Sequence, residues 1–212
     1  MPTRINRSNR RNMSTKRKGR VPVSTSKVRR IARNQAFSTK ETKKQTITVT
    51  DSNITTVNSS PTTDCWRLAQ GDTSVTREGN EIYATSFCHK FILTADEGSS
   101  NNQLIRIVLY MPRHDKDDTI NNLSVISSVD TDKFKVMYDR VFPLGYGSGH
   151  SEGVKYLQIK RKFRNPKKLY YSGSGLVDPI SPVMKYVFVS DAPVVGGKPP
   201  HLQAELINYY KD

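Results

Sequence analysis

Guanidinium and ammonium groups carry most of the chemistry that this chain can do. Arg4, Arg7, Arg10, Arg11, Lys16, Arg17, Lys18, Arg20, Lys27, Arg29, Arg30 and Arg33 are separated mostly by Asn, Ser and Thr. The chemistry is phosphate binding: a guanidinium donates paired hydrogen bonds to phosphate oxygens, and each neutralised phosphate releases condensed counterions. The first 44 residues hold 15 Lys+Arg against the single acid Glu41, a charge of +14, while residues 45–212 hold 19 against 18 and contribute +1 of the formal +15. A near-neutral body with a polycationic arm implies a polyanionic partner, bound without sequence choice. The arm has too few apolar side chains to bury a core and is expected to be disordered until it meets that partner. Arg10, Arg11, Lys16, Arg17, Lys18 and Arg20 also have the pattern of a nuclear import signal, so an import receptor is a second expected partner. A membrane surface fits less well, because no aromatic or long apolar face accompanies the charges. Val28, Ile31 and Ala32 stand at helical spacing behind Thr25 and Ser26, which suggests one or two helical turns formed on phosphate.

Catalytic patterns are missing. Gly145-Tyr-Gly-Ser-Gly149-His150 lacks the Gly-Lys-Ser/Thr that completes a phosphate loop and reads as a flexible connection. His89, His114, His150 and His201 lie far apart and join no metal-binding or base motif, so each reads as a surface or loop residue. Ser151 and Ser190 have no nucleophile-elbow context. Asp115, Asp117 and Asp118 concentrate carboxylates that could hold Ca²⁺ between subunits, but without calcium-hand spacing a solvated turn is the simpler reading. Cys65 and Cys88 make neither a disulfide framework nor a metal set, and free thiols in a reducing compartment are expected. No enzyme, cofactor or metal is therefore expected.

Lys160-Arg161-Lys162, Arg164 and Lys167-Lys168 form one basic patch in the body, readable either as a binding or subunit surface or as a solvated strand end. All ten Tyr and every Phe but Phe37 lie in the body. Tyr110, Tyr138 and Tyr156 could form a face on which bases stack, or could serve sheet packing and subunit contacts. Trp66 reads as a packing anchor at a subunit seam.

The elements that must position these groups are strands. Residues 1–44 form the arm and residues 45–212, enough for one sizeable core, form one domain. Eight β-rich runs stand out: 46–50, 53–57, 81–93, 104–111, 134–142, 154–163, 184–189 and 202–209. The only candidate helix of the body is Thr119 to Ile126. Many strands without intervening helices predict an antiparallel sandwich or barrel, and the long loops 94–103, 113–119 and 191–200 suggest Greek-key crossings between sheets. The N-terminus carries no apolar leader pattern and no run reaches a membrane span, so synthesis in the cytosol is expected.

Several of these segments resemble small viral coat proteins. Lys133-Phe-Lys-Val-Met-Tyr-Asp-Arg-Val-Phe-Pro-Leu144 is similar to a strand reading basic, aromatic, x, hydrophobic, hydrophobic, x, Asp, x, x, hydrophobic. That strand recurs in coat proteins of circular single-stranded DNA viruses that encode a replication initiator, and of satellite viruses. Arg77-Glu-Gly-Asn-Glu-Ile82, Leu104 to Pro112, Tyr171-Ser-Gly173 and Leu206 to Asp212 resemble further pieces of that pattern, in order. The resemblance implies one eight-stranded antiparallel jelly roll of two facing four-stranded sheets. It further implies self-assembly into a small icosahedral shell, of about 60 copies (T=1) for so short a chain. The arms would line the shell and package a single-stranded genome, with DNA favoured by the import pattern, and the protein would occur in the virion and the host nucleus. A non-assembling single-strand-binding or movement-type protein is the alternative.

Overall fold

The computed structural model describes residues 24–54, 65–95, 103–114, 119–145, 153–180, 184–191 and 199–212. It divides into two units, residues 1–39 and 40–212. In the first, α1 spans Thr25–Thr39, longer than the one or two turns expected from Val28, Ile31 and Ala32. Its cap is Ser24, one residue before the expected Thr25: the Lys27 N–H reaches both the Ser24 carbonyl (2.9 Å) and Oγ (3.3 Å). Val28 and Ile31 are half exposed on this helix.

The second unit is built from seven strands: β1 Lys43–Asn53, β2 Glu81–Thr94, β3 Gln103–Pro112, β4 Phe134–Leu144, β5 Val154–Tyr170, β6 Lys185–Ser190 and β7 His201–Lys211. All pairings are antiparallel, in one sheet ordered β1-β7-β2-β5 and another ordered β4-β3-β6. The chain changes sheet between β2 and β3 and at every connection from β4 onward, and the first strand pairs with the last. This is Greek-key wiring, and the fold is a jelly roll. The expected 113–119 crossing is corrected: it leads from β3 to β4, neighbours in one sheet. The expected two sheets of four are, among the described residues, a four and a three. Asn53 closes β1, and residues 55–57 of the expected eighth strand lie outside the described residues.

The core fills the space between the sheets. Val49, Phe87, Phe91, Leu93, Leu202 and Leu206 of the four-stranded sheet meet Ile105, Ile107, Leu109, Tyr186 and Phe188 of the other. In β1 the alternation is clean: Lys43, Gln45 and Val49 turn in while Lys44, Thr46, Thr48 and Thr50 stay exposed. β3 is buried on both faces, as its run LIRIVLYM requires. Its outward Val108 and Tyr110 join Val187 and Val189 in a second cluster roofed by Ile120, Leu123 and Val125.

That roof is the segment expected to be a helix, and it is irregular chain. Asn122 takes a left-handed conformation (φ 56°), and Ser124 and Ser127 exchange bonds from each backbone N–H to the other's Oγ (2.8 and 3.0 Å). Local side-chain bonds of this kind compete with helical ones, and the apolar residues then serve as a lid on the sheet.

His89 corrects another expectation. It lies 1% exposed between the sheets, held by Tyr186 Oη at Nδ1 (2.8 Å) and Asn208 Oδ1 at Nε2 (2.9 Å). Asn208 donates its amide to Gln45 Oε1 and the Cys65 carbonyl, so its Oδ1 must accept. The ring therefore carries its proton on Nε2 and accepts the Tyr186 O–H at Nδ1. Burial pulls its pKa down to about 4.

Candidate nucleic-acid interface

The two sheets differ in their outward faces. The outer face of β4-β3-β6 is covered by the 119–130 segment, whereas that of β1-β7-β2-β5 presents polar and cationic side chains. Strand register arranges the latter in rows. One row sets Gln203, Ile92 and Tyr156 side by side; the next sets Thr48, Glu205, Lys90 and Gln158. Two further residues along come Thr46, Ile207, Cys88 and Lys160, then Lys44, Tyr209, Ser86 and Lys162. Rows lie about 7 Å apart along the strands, and neighbours within a row about 5 Å apart.

Cations outnumber acids on this face. Lys90 pairs with Glu205 at 2.7 Å, which raises the lysine pKa and lowers that of the carboxyl, with Lys44 adding to the latter. Lys160 and Lys162 have no carboxylate partner among the described residues. At the far end Lys168 pairs with Glu81 and lies 4.8 Å above the Tyr170 ring, and its pKa is pushed up to about 12 by bonds to Glu81 and Tyr170. Tyr83 beside it sits under both Lys168 and Lys40. Aromatic rings and lysines thus alternate on a sheet surface, the arrangement with which single-strand binders hold bases and phosphates. A groove of about 630 Å³ runs over the Tyr156 end.

The expected site residues are only partly within reach of this description. Arg4, Arg7, Arg10, Arg11, Lys16, Arg17, Lys18 and Arg20 lie outside the described residues. Lys27, Arg29 and Arg30 are exposed on α1, and Arg33 belongs to the same helix. Of the body patch, Lys160 and Lys162 join the sheet face, while Arg161 donates across to the Met137 carbonyl of β4 (3.4 Å). The tyrosine trio separates. Tyr110 is buried, Tyr138 packs against the core, and Tyr156 is 74% exposed. Trp66 is 1% exposed within the core of this chain, not at a surface seam. Among the described residues no three His, Cys, Asp or Glu converge to hold a metal. Asp115, Asp117, Asp118, His150 and Ser151 lie outside them, and Ser190 is buried in β6. Lys44, Lys90, Gln203 and Tyr209 escaped the sequence reading. Period-two alternation marks each as outward, but only strand order places them beside β5.

The segments that carry the coat-protein resemblance do structural work. Arg77 is fully buried, stacks 4.8 Å over Tyr171, and donates to the Gly79 and Gly173 carbonyls, so Arg77-x-Gly79 and Tyr171-x-Gly173 form one lock. Gly173 needs its glycine, with φ at +86°. Asp139 receives Arg106 of β3 in a two-point pair (2.8 and 2.6 Å), and Arg106 also donates to the Ser124 and Ser127 carbonyls that fix the roof.

No family model and no curated protein matches the chain. Among solved structures, one chain from Desmodium yellow mottle tymovirus is similar, with a TM-score of 0.40 and 10% identity over 81% of this chain and 88% of that one.

Proposed function

We propose that this protein is a viral coat protein, without catalytic activity. Its jelly roll self-associates into a small icosahedral shell of about 60 copies. Its basic arm and the lysine-bearing face of β1-β7-β2-β5 together bind a single-stranded genome. The observation that carries this reading is the asymmetry of the body. One sheet is closed over by its own chain; the other holds a cationic face on which, among the described residues, Lys160 and Lys162 have no carboxylate partner, in a chain whose first 44 residues add +14. At about 60 copies the arms alone bring roughly 800 charges, enough for a polyanion of that order. Neutralisation by the genome removes the repulsion between arms and permits assembly. The import pattern at Arg10, Arg11, Lys16, Arg17, Lys18 and Arg20 adds entry into the host nucleus and favours DNA.

Negative-stain electron microscopy with the 260/280 nm absorbance ratio of the same fraction tests the proposal. Uniform shells with nucleic-acid absorbance are expected. A small species that only shifts oligonucleotides would replace the coat reading with that of a non-assembling single-strand binder, which the exposed Tyr156 also suits. Deleting residues 1–40 should leave the body folded, because it stops short of β1, while removing most of the retained nucleic acid.

A further inference from the structure

We infer that the groove over the Tyr156 end of the four-stranded sheet is a subsite for unpaired bases of single-stranded nucleic acid, with Tyr156 as the stacking platform. The inference rests on the nucleic-acid-binding reading and adds to it a preference for unpaired strands that an arm binding phosphate alone would not supply. Tyr156 lies within β5, not at a loop tip, and yet is 74% exposed, while its neighbours Leu157 and Ile159 turn into the protein. An aromatic ring held on a rigid strand with its surface in water loses little conformational freedom when a base covers it. Across the sheet it stands beside Ile92, which widens the apolar floor of the groove, and then Gln203.

Gln158 and Gln203 supply amides at the base edges. Gln158 donates to Cys88 Sγ (3.2 Å), which leaves its carbonyl oxygen available. Lys160 follows on the same face of β5, about 13 Å from Tyr156, and Lys162 about 20 Å, along the line that a backbone leaving the groove would take.

Charge selects the occupant. Among the described residues the groove's lining holds one acid, Glu205, neutralised by Lys90, and the excess charge beside the groove is that of Lys44, Lys160 and Lys162 on the same sheet face. A second copy's arm, with 13 Lys and Arg and no acid in residues 1–40, would be repelled by these lysines, whereas a strand offering both phosphates and bare base faces matches the lysines and the ring. A duplex matches only the lysines, because its π faces are already stacked.

The test compares full-length wild type with Tyr156→Ala, Tyr156→Phe and a Lys160→Gln/Lys162→Gln double variant. Fluorescence anisotropy at one fixed salt concentration reads a labelled oligo(dT) and a duplex of equal phosphate count. Tyr156→Ala should weaken oligo(dT) binding about 5- to 150-fold, the range that loss of one stacked base produces. It should leave duplex binding within about twofold, because stacking plays no part there. Tyr156→Phe should bind like wild type, and the lysine variant should weaken both ligands alike. Unchanged oligo(dT) binding by Tyr156→Ala, or an equal loss on both ligands, would overturn the stacking subsite and leave the nucleic-acid reading standing. Failure of wild type to bind either ligand at low salt would overturn the reading beneath it. Photocrosslinking to 5-iodouracil oligonucleotides gives a second readout: the crosslink should map to Tyr156, and its absence from β5 would count against the site.

Discussion

Lowering the pH should loosen the two sheets through His89. The neutral ring accepts from Tyr186 and donates to Asn208, and a proton added at Nδ1 would confront the Tyr186 hydroxyl inside the core. The facing groups are Tyr186 of β6, Asn208 of β7 and Phe87 of its own strand, none of them an acid that could compensate the charge. The folded pKa is depressed to about 4 from 6.5, so the unfolded chain binds the proton more readily throughout that interval. The stabilisation is therefore complete above about pH 6.5 and is lost as pH falls toward 4. At 1.36 kcal/mol per pKa unit it amounts to about 3 kcal/mol. The assay is urea unfolding of wild type and His89→Gln at a series of pH values, at one protein concentration because assembly would shift the midpoint. Carboxylates titrate in both proteins, so the difference between the curves isolates the imidazole. The gap should narrow by about 3 kcal/mol from pH 7 to pH 4. Parallel curves would show that His89 titrates as an ordinary histidine and would refute the reasoning.

Three further outcomes follow from the locks described above. Arg77→Lys should cost about 2–4 kcal/mol in chemical unfolding, because an ammonium cannot both stack on Tyr171 and reach the Gly79 and Gly173 carbonyls. Gly173→Ala should destabilise by about 1 kcal/mol or more, whereas Gly175→Ala, where an added Cβ meets nothing within 4 Å, should be close to neutral. Lys43 opposes burial by bonding Glu78 (2.8 Å) and Asp212 (3.0 Å), which together raise its pKa. Lys43→Ala strands the buried Asp212 carboxylate and should cost about 3 kcal/mol, and Lys43→Ala/Asp212→Asn should recover part of it in a double-mutant cycle.

The sequence by itself determined which stretches pair as strands and where the charge lies. Runs such as LIRIVLYM and MKYVFV, and the alternation in β1, are legible because burial on one face or two leaves a period that needs no partner to be seen. The cationic arm is legible for the same reason, since net charge is additive along the chain. Where the reading failed, local pattern and tertiary demand disagreed. Residues 119–126 have the spacing of a short helix, but the open face of β3 and β6 takes their apolar side chains as a roof. His89 and Trp66 are ordinary by composition, and only the closing of one sheet on the other buries them. Tertiary structure alone decided that Tyr156 stays outside while Tyr110 goes in, and that Arg77 meets Tyr171 across 93 intervening positions of chain. It also set Lys44, Lys90 and Lys160 on one surface. Strand order and register are settled by contacts distant in sequence, and such contacts leave no periodic trace in any one segment.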